Sequence, residues 1–382
     1  MLTTFLARVA RRFRGHIRVI GYFEAAGRPR GSVLVSYLPA AVASKNPNRF
    51  LGHTNLWECA EIVRLVNELG YAADVISWED DQFIARSRYA AVLDLAHNLS
   101  RLAGPGTAAV LHLTGSEPAS CNAAERARLD ALAARRGRRL RPRRSHTPES
   151  VELHLRSLRR ADVVTLVGNE VTLATYPAPD RPKFRLVPVT GSVLSRPRDP
   201  STATFDPSFL FFSGAGAVHK GLDLVLEVFA RHPELELHVV GPAATDDDFA
   251  LAYRHELALP NVRVHRPLMP SSDAFVALAQ RVRGFVLPSC SEATSTAAVT
   301  CMQHGIFPLV SRECGLDLTN ESGITLPDCS IDSIESAVLT VAGMAPAILR
   351  ERTAAAQRYA MATHSREAFS RAVHAVLTSV LA

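Results

Sequence analysis

A glycine-rich segment at residues 211–223 has the residue types that bind phosphate. It reads Phe-Phe-Ser-Gly-Ala-Gly-Ala-Val-His-Lys-Gly-Leu-Asp, an apolar run followed by small residues and Lys220. Small residues let backbone N–H groups approach a phosphate, a helix N-terminus adds partial positive charge, and a lysine adds a point charge. Because the spacing is neither GxGxxG nor GxxxxGK, neither a Rossmann NAD site nor a P-loop is predicted. A turn with a solvated lysine is the structural alternative.

A second polar segment follows the apolar run Gly284–Leu287. Residues 288–296 read Pro-Ser-Cys-Ser-Glu-Ala-Thr-Ser-Thr and lead into a helix-like run. A carboxylate near the end of a strand, here Glu292, is suited to accept hydrogen bonds from hydroxyl groups. Free N–H groups at residues 294–296 are suited to an anion. For Glu292 the alternative is an acid that only stabilises the start of the helix.

The strands and helices that would position these segments alternate along the chain, both before and after a proline-containing stretch at residues 191–207. In the second half, the predicted strand Phe209–Ser213 leads to the helix His219–Arg231, and the strand Gly284–Leu287 leads to the helix Thr296–His304. Such alternation predicts parallel sheets covered by helices on both faces. Two doubly wound halves predict a cleft between them, with ligands at the carboxyl ends of the strands.

The two segments, in this order, resemble the nucleotide-sugar domain of GT-B glycosyltransferases, specifically the retaining family 4. The resemblance includes Lys-Gly-Leu-Asp at 220–223, the strand at 237–242 and the stretch from Pro-Ser at 288–289 to Gly-Ile-Phe-Pro at 305–308. In the N-terminal half, residues 52–58 look like the start of the acceptor-domain helix. The resemblance implies the GT-B fold, an α/β architecture of two Rossmann-like, doubly wound parallel-sheet domains that face each other across a cleft.

Four regions are therefore expected along the chain. They are a basic leader at 1–30, an acceptor-binding domain at 31–195, a nucleotide-sugar domain at 205–345, and C-terminal helices at 346–382 that cross back to the first domain as in the family.

The resemblance assigns donor-side roles residue by residue. It implies that Lys220 and the N–H groups of Gly214–Ala217 hold the diphosphate and that Glu292 faces the donor sugar. The family has an arginine five residues before the lysine, where this chain has Ala215. It also has a second glutamate for the ribose hydroxyls, where this chain has Thr300, which lacks the roughly twofold strength that a charge gives a hydrogen bond. The implied nucleotide-sugar contacts are Gly214, Ala215, Gly216, Lys220, Glu292, Thr294, Ser295, Thr296 and Thr300.

The implied reaction moves a sugar from a nucleotide-diphosphate sugar to a polysaccharide, a lipid-linked glycan or a related glycoconjugate. Retention of configuration is expected, with no metal and no other cofactor. The expected catalytic residues are Glu292, Lys220 and His112. His53 and His97 are expected on the acceptor side, where they would orient the acceptor. A purely structural histidine is the alternative at each of these positions.

Three further hypotheses stay open. The changes at Ala215 and Thr300 favour, as the main alternative, a catalytically silent GT-B protein that binds a sugar nucleotide or a partner. A sugar-nucleotide epimerase shares the GT-B architecture. The sequence Asp246-Asp247-Asp248 resembles a metal-binding DxD motif, but it opens a predicted helix, so helix-capping acids are favoured.

The basic residues suggest a negatively charged partner. Of the 43 lysines and arginines only three are lysines, and twelve arginines lie between Arg126 and Arg160. This run has no interleaved aromatic residues for base stacking and no nucleic-acid motif, so nucleic acid is disfavoured. An anionic membrane surface, a lipid-diphosphate acceptor and a solvated helix face remain open. In the leader, Phe5, Val9 and Phe13 recur at helical spacing; a membrane-surface helix and a packed or disordered leader are its two interpretations.

Composition indicates the class of protein and its cellular location. Apolar residues make up 47% of the 382 residues, which is typical of a globular chain. No run reaches the roughly 18 apolar residues of a membrane span. The six cysteines have no CxxC spacing, so neither a disulfide framework nor a structural zinc site is predicted. A cytoplasmic location is the expectation, and a peripheral position on the inner membrane face is left open.

Overall fold

The residues that the computed structural model describes form two α/β domains, each built on one sheet. The described residues are 9–13, 16–50, 54–85, 87–192, 196–241 and 246–382.

The N-terminal domain alternates strands and helices along most of its length. Its strands are β1 (Val9–Phe13), β2 (His16–Tyr22), β3 (Ser32–Tyr37), β4 (Ala72–Ser77), β5 (Ala91–Asp94), β6 (Ala108–Leu113), β7 (Val163–Val167) and β8 (Phe184–Val187). Its helices are α1 (Ala40–Ala43), α2 (Thr54–Glu68), α3 (Leu99–Leu102), α4 (Pro118–Arg136), α5 (Pro148–Arg160) and α6 (Glu170–Leu173). The strand order is β1-β2-β4-β3-β5-β6-β7-β8, with β3 to β8 parallel. The central strands are buried, which explains their near-continuous apolar sequences.

The C-terminal domain contains a six-stranded parallel sheet. Its strands are β9 (Ser208–Phe212), β10 (Glu236–Val240), β11 (Val262–His265), β12 (Gly284–Leu287), β13 (Phe307–Ser311) and β14 (Ile324–Leu326). Its helices are α7 (Leu222–Phe229), α8 (Asp247–Ala252), α9 (Arg254–Leu257), α10 (Asp273–Ala279), α11 (Thr296–Gln303) and α12 (Ile331–Ala342). The order β11-β10-β9-β12-β13-β14 puts β9 beside β12. From β9 the chain adds strands on one side of the sheet, and from β12 it adds them on the other side. Such a switch point opens a crevice at the carboxyl ends of the two strands.

The last two helices connect the domains. Helix α13 (Pro346–Thr363) packs on α11 and β13 of the C-terminal domain, and α14 (Arg366–Leu381) packs on α2 and β8 of the N-terminal domain. Phe369 of α14 is buried in the N-terminal core. Among the described residues no single helix meets the length and hydropathy of a membrane span; α12 together with residues 346–381 does so only as a pair bent by 114°.

Of the two interpretations of the basic leader, the helix is wrong where the structure describes the leader. Val9–Phe13 and His16–Tyr22 are antiparallel strands, and β2 pairs with β4 at the edge of the N-terminal sheet. Val19 is buried in the N-terminal core, and Arg18 donates to the buried Asp80 at 2.6 Å. Pairing with the N-terminal sheet, together with burial of Val19 and Tyr22, therefore outweighed a helical spacing that rested on few residues; Phe5 lies outside the described residues.

The arginine-rich run lies against the C-terminal domain. Arg135 of α4 donates to the fully buried Asp223 of α7 at 2.8 Å, and Arg136 contacts Glu256. Leu132, on the same helix, is buried in the core of the C-terminal domain. These side chains of α4 hold the two domains together, which is a role that the sequence analysis did not consider.

The Arg135–Asp223 pair can be tested by its effect on stability. Burial raises the pKa of Asp223 to about 6, although Arg128 and Arg135 oppose this shift. Removing Arg135 leaves a buried carboxylate without its partner. We expect Arg135→Ala to lower the free energy of unfolding at pH 8 by about 3 kcal/mol, measured by urea denaturation.

Two further variants complete this test. The double variant Arg135→Ala with Asp223→Asn removes the unpaired charge and should recover part of the loss, and the exposed Arg138→Ala should be as stable as the wild type. Equal stability of Arg135→Ala and Arg138→Ala would show that the pair does not hold the domains together.

Candidate active site

Two cavities lie next to each other where the domains meet. The first, here called the glycine-loop cavity, has a volume of about 290 Å³, and its lining includes Gly214, Lys220 and Glu292. The second, called the histidine cavity, has a volume of about 490 Å³. Its histidines are His97, His146, His154 and His219. Glu292 and Arg144 line both cavities, so a group bound in one is close to a group bound in the other.

The glycine-rich segment forms a loop after β9 and a tight turn before α7. Helix α7 begins at Leu222, three residues later than predicted, because Gly221 has a positive φ of 81° that an α-helix does not accommodate. Within the described part of the chain, the N–H groups of Gly214, Ala215 and Gly216 have no protein acceptor. The prediction that the Ala217 N–H is a fourth donor to the ligand is wrong, because this N–H donates to Asp246 Oδ2 at 3.1 Å. Three N–H groups therefore remain for a ligand.

Lys220 and Glu292 form an ion pair at the centre of the site. The Lys220 ammonium donates to Glu292 Oε1, and both side chains are largely buried. Burial by itself would raise the pKa of Glu292, but the charge and hydrogen bond of Lys220, together with His219, lower it below the ordinary value. Glu292 is therefore an ionised acceptor at neutral pH, and it keeps its Lys220 partner close to the glycine-rich loop.

The second polar segment differs in part from its prediction. Thr294, Ser295 and Thr296 line the glycine-loop cavity. However, the N–H groups of Thr294 and Ser295 already donate to Val167 O at 3.2 Å and Cys314 O at 2.9 Å. These two were expected to be free for an anion, and that expectation is wrong because they fix the loop to its neighbours. Ser295 also caps α11 through its side chain.

Thr300 does not reach the glycine-loop cavity. It is buried on α11, and its hydroxyl oxygen accepts the Ser192 N–H at 3.1 Å. Residue 192 belongs to the segment between the domains, so Thr300 fixes that segment where the sequence analysis expected a ribose contact. Thr300 is absent from the lining of both cavities.

The predicted catalytic residue His112 and the predicted acceptor-side residues His53 and His97 have different positions. His97 lines the histidine cavity, with its ring edge-on to Trp78 at a centroid distance of 4.9 Å. His112 is buried in β6, bonded to Thr165 Oγ1 at 2.7 Å and packed on Tyr37, and burial lowers its pKa to about 4. His112 lines neither cavity; Leu113 and Thr114 at the strand end do so instead. His53 lies outside the described residues.

The acidic run at residues 246–248 lies at the start of α8 as expected, with Asp247 and Asp248 in the first turn of the helix. Asp246 makes no side-chain cap bond to α8 and instead holds the glycine-rich loop through Ala217. Asp248 accepts from Arg143 at 2.6 Å and from the Arg141 N–H at 3.0 Å. Among the described residues no group of three or more His, Cys, Asp or Glu side chains is arranged to hold a metal ion.

Sequence reasoning missed two charged residues at the glycine-loop cavity. Glu58 lies on the buried face of α2 and accepts from Thr190 Oγ1 at 2.9 Å. An acid at helical spacing with Ile62 and Leu65 was the available signal. Arg144 lies on the loop between α4 and α5, and nothing in its local sequence separates it from the other arginines of the run.

Glu58 gives a pH-dependent test of this geometry. Burial raises its pKa to about 7 from an ordinary 4.5, despite the opposing hydrogen bonds from Thr190. Between these two pH values the folded protein retains a proton that the unfolded chain releases, so the contribution of Glu58 to stability falls as the pH rises. The loss across this window is up to about 3 kcal/mol.

We expect Glu58→Gln to remove this contribution. The difference in free energy of unfolding between Glu58→Gln and the wild type should grow in favour of the variant from pH 5 to pH 7.5, measured by denaturant titration at each pH. Glu68→Gln, at the exposed end of the same helix, is the matched control. A difference that stays constant with pH would contradict the buried carboxyl proposed for Glu58.

Comparison with known proteins supports the fold and the enzyme class. Residues 198–358 match the family model of glycosyl transferases group 1. No curated protein matches the sequence. Sucrose-phosphate synthase from Thermosynechococcus elongatus has a similar structure, with a TM-score of 0.65 and 13% identity over 93% of this chain and 99% of that one.

Two structures with bound ligands are also similar. Anabaena HepE in complex with UDP and glucose gives a TM-score of 0.57 at 10% identity, over 91% of this chain and 100% of that one. A mutant of Staphylococcus aureus TarM, in complex with fondaparinux, α-GlcNAc-glycerol and UDP, gives 0.56 at 9% identity. The match covers 80% of this chain but only 57% of TarM, so this chain spans little more than half the length of TarM. The predicted GT-B fold is confirmed.

Proposed function

Because this chain is a glycosyltransferase with the GT-B fold, we propose that it moves a sugar from a nucleotide-diphosphate sugar to a glycan or lipid-linked acceptor, with retention and without a metal. The observation that carries the proposal is the position of Glu292. Its carboxylate is ionised, is held by Lys220, and lines both cavities at the domain interface.

The glycine-loop cavity is the proposed donor site. A nucleotide-sugar donor loses its diphosphate during transfer, so negative charge increases at the diphosphate oxygens in the transition state. Preorganised donors and cations at that position stabilise the developing charge. The free N–H groups of Gly214, Ala215 and Gly216 and the ammonium of Lys220 supply such a cradle. The ionised Glu292 then accepts hydrogen bonds from sugar hydroxyls.

The histidine cavity is the proposed acceptor site. It is large enough for one or two sugar units, and Trp78 and Tyr176 in its lining supply aromatic surface. Ser116 of the N-terminal domain bonds to Ser291, so the two domains meet at its floor. The complexes of HepE with UDP and glucose and of TarM with fondaparinux, α-GlcNAc-glycerol and UDP support this division into donor and acceptor sites. Retention rests on the resemblance to family 4.

A catalytically silent protein that binds a sugar nucleotide remains the second candidate. The observation that favours it is Thr300, whose hydroxyl is bonded to Ser192 and is not directed to a ribose. Such a protein would bind a donor but would not turn it over.

The donor site is tested by a thermal-shift screen against UDP-, GDP-, ADP- and TDP-sugars. We expect Lys220→Ala to lose the shift given by the best ligand, because its ammonium is the cation next to the glycine-rich loop. Each shift is measured relative to the same variant without ligand, because Glu292 without its lysine also lowers stability. Lys183→Ala is the matched control, since Lys183 lies before β8 and contacts the carbonyls of Leu158 and Arg159.

The two candidate functions predict different turnover. Release of free nucleoside diphosphate from the best ligand, with a sugar or glycan acceptor present, supports the transferase, and Glu292→Gln should then reduce the rate by about 100-fold or more. Binding with no turnover across the donor and acceptor panel would favour the silent protein. Equal shifts for Lys220→Ala and Lys183→Ala would refute the proposed donor site.

A further inference from the structure

We propose that Arg144, a residue of the N-terminal domain, binds the diphosphate of the donor and supplies the guanidinium that the C-terminal domain lacks at Ala215. This inference rests on the proposed function of the glycine-loop cavity. It assigns a cation to that site from a part of the chain that the family resemblance does not include.

The stem of Arg144 crosses the glycine-rich loop. A Cβ atom built on Gly216 would stand 2.8 Å from Arg144 Cγ and 3.3 Å from Cδ, so the arginine passes directly over this glycine. Gly216 also has a φ of 92°, which favours glycine. Arg144 lines the same cavity as Gly214 and Lys220. The contact brings a side chain of one domain to the three free N–H groups of the other.

The backbone of Arg144 is held in place by a buried acid. Glu125 of α4, which is 2% exposed, accepts the N–H groups of Arg143 and Arg144 through Oε1 at 2.9 and 3.0 Å. Its Oε2 accepts from the Ser145 hydroxyl at 2.7 Å. Both oxygens of the Glu125 carboxylate therefore accept hydrogen bonds from the loop that carries Arg144. A loop fixed in this way presents its side chain at a low entropic cost of binding.

The guanidinium of Arg144 lines the cavity without an ion-pair partner among the described residues. Its neighbour Arg143 pairs with Asp248, and Lys220 pairs with Glu292. In the described part of the chain the Arg144 side chain makes no hydrogen bond and no ion pair. The pKa of His146 is lowered first by burial and then by the charge of Arg144, which indicates that this charge acts within the site.

A diphosphate is the ligand chemistry that fits this arrangement. It has several anionic oxygens, whereas Lys220 is already balanced by Glu292. A planar guanidinium binds phosphate oxygens with two parallel hydrogen bonds, which a lysine cannot do. Since Arg144 and the glycine-rich loop belong to different domains, a bound diphosphate would bridge them. The donor would then bind the closed arrangement of the domains most tightly.

The test is isothermal titration of the full chain with UDP, GDP, ADP, TDP and CDP and with the matching nucleosides. We expect Arg144→Ala to weaken the best diphosphate by about tenfold or more, as for the loss of a charge-assisted hydrogen bond. Binding of the nucleoside should be unchanged, and the dependence of affinity on salt should decrease. Arg144→Lys should recover part of the loss. Arg138→Ala, exposed on the same arginine-rich stretch, should bind like the wild type.

The outcomes separate this inference from the proposed function. If the wild type binds none of the five diphosphates, both are overturned. If the wild type binds and Arg144→Ala binds equally well, only the role of Arg144 is overturned. An equal loss of nucleoside and diphosphate affinity would also overturn it, because that would indicate a general structural effect. Recovery of affinity in the double variant Arg144→Ala with Ala215→Arg would support the inference that Arg144 supplies the guanidinium that is absent at position 215.

Discussion

The contact of α4 with the C-terminal domain is the constraint on which the site depends. Leu132 is buried in the core of the other domain, and Arg135 neutralises Asp223 inside it. Apolar burial favours association without fixing direction, whereas a buried carboxylate requires its partner at one position. Together they fix where α4 and its following loop lie. Both cavities owe their shape to this arrangement, because each is lined by residues of both domains.

The Lys220–Glu292 pair gives the site its electrostatic character. Two ionised groups in a buried position are costly unless they neutralise each other, and here they come from the segments that follow two adjacent strands, β9 and β12. The pair leaves the cavity without a surplus charge from the C-terminal domain. Attraction for an anionic donor therefore depends on backbone N–H groups and on charges that the N-terminal domain contributes.

The alternation of elements was sufficient to predict two doubly wound domains, and the resemblance of the two polar segments to GT-B glycosyltransferases implied the GT-B fold and the places of Lys220 and Glu292. This is because strand-to-helix order and the ends of parallel strands are local features of a sequence. The errors concern residues whose partners are distant. Thr300 bonds to Ser192, Ala217 bonds to Asp246, and His112 packs on Tyr37. No local pattern indicates such partners, and none distinguishes Arg144 from the other arginines nearby.

The two departures from the family pattern, Ala215 and Thr300, have a common physical result. Where the family has a second glutamate, Thr300 holds the segment that joins the domains. Where the family has an arginine, this chain has Ala215, and Arg144 crosses from the other domain over the adjacent Gly216. Each change replaces a group internal to the C-terminal domain with a contact between the domains. On our proposal, donor affinity in this chain is therefore coupled to domain closure, since the cation that completes the diphosphate site reaches it only when the domains are together.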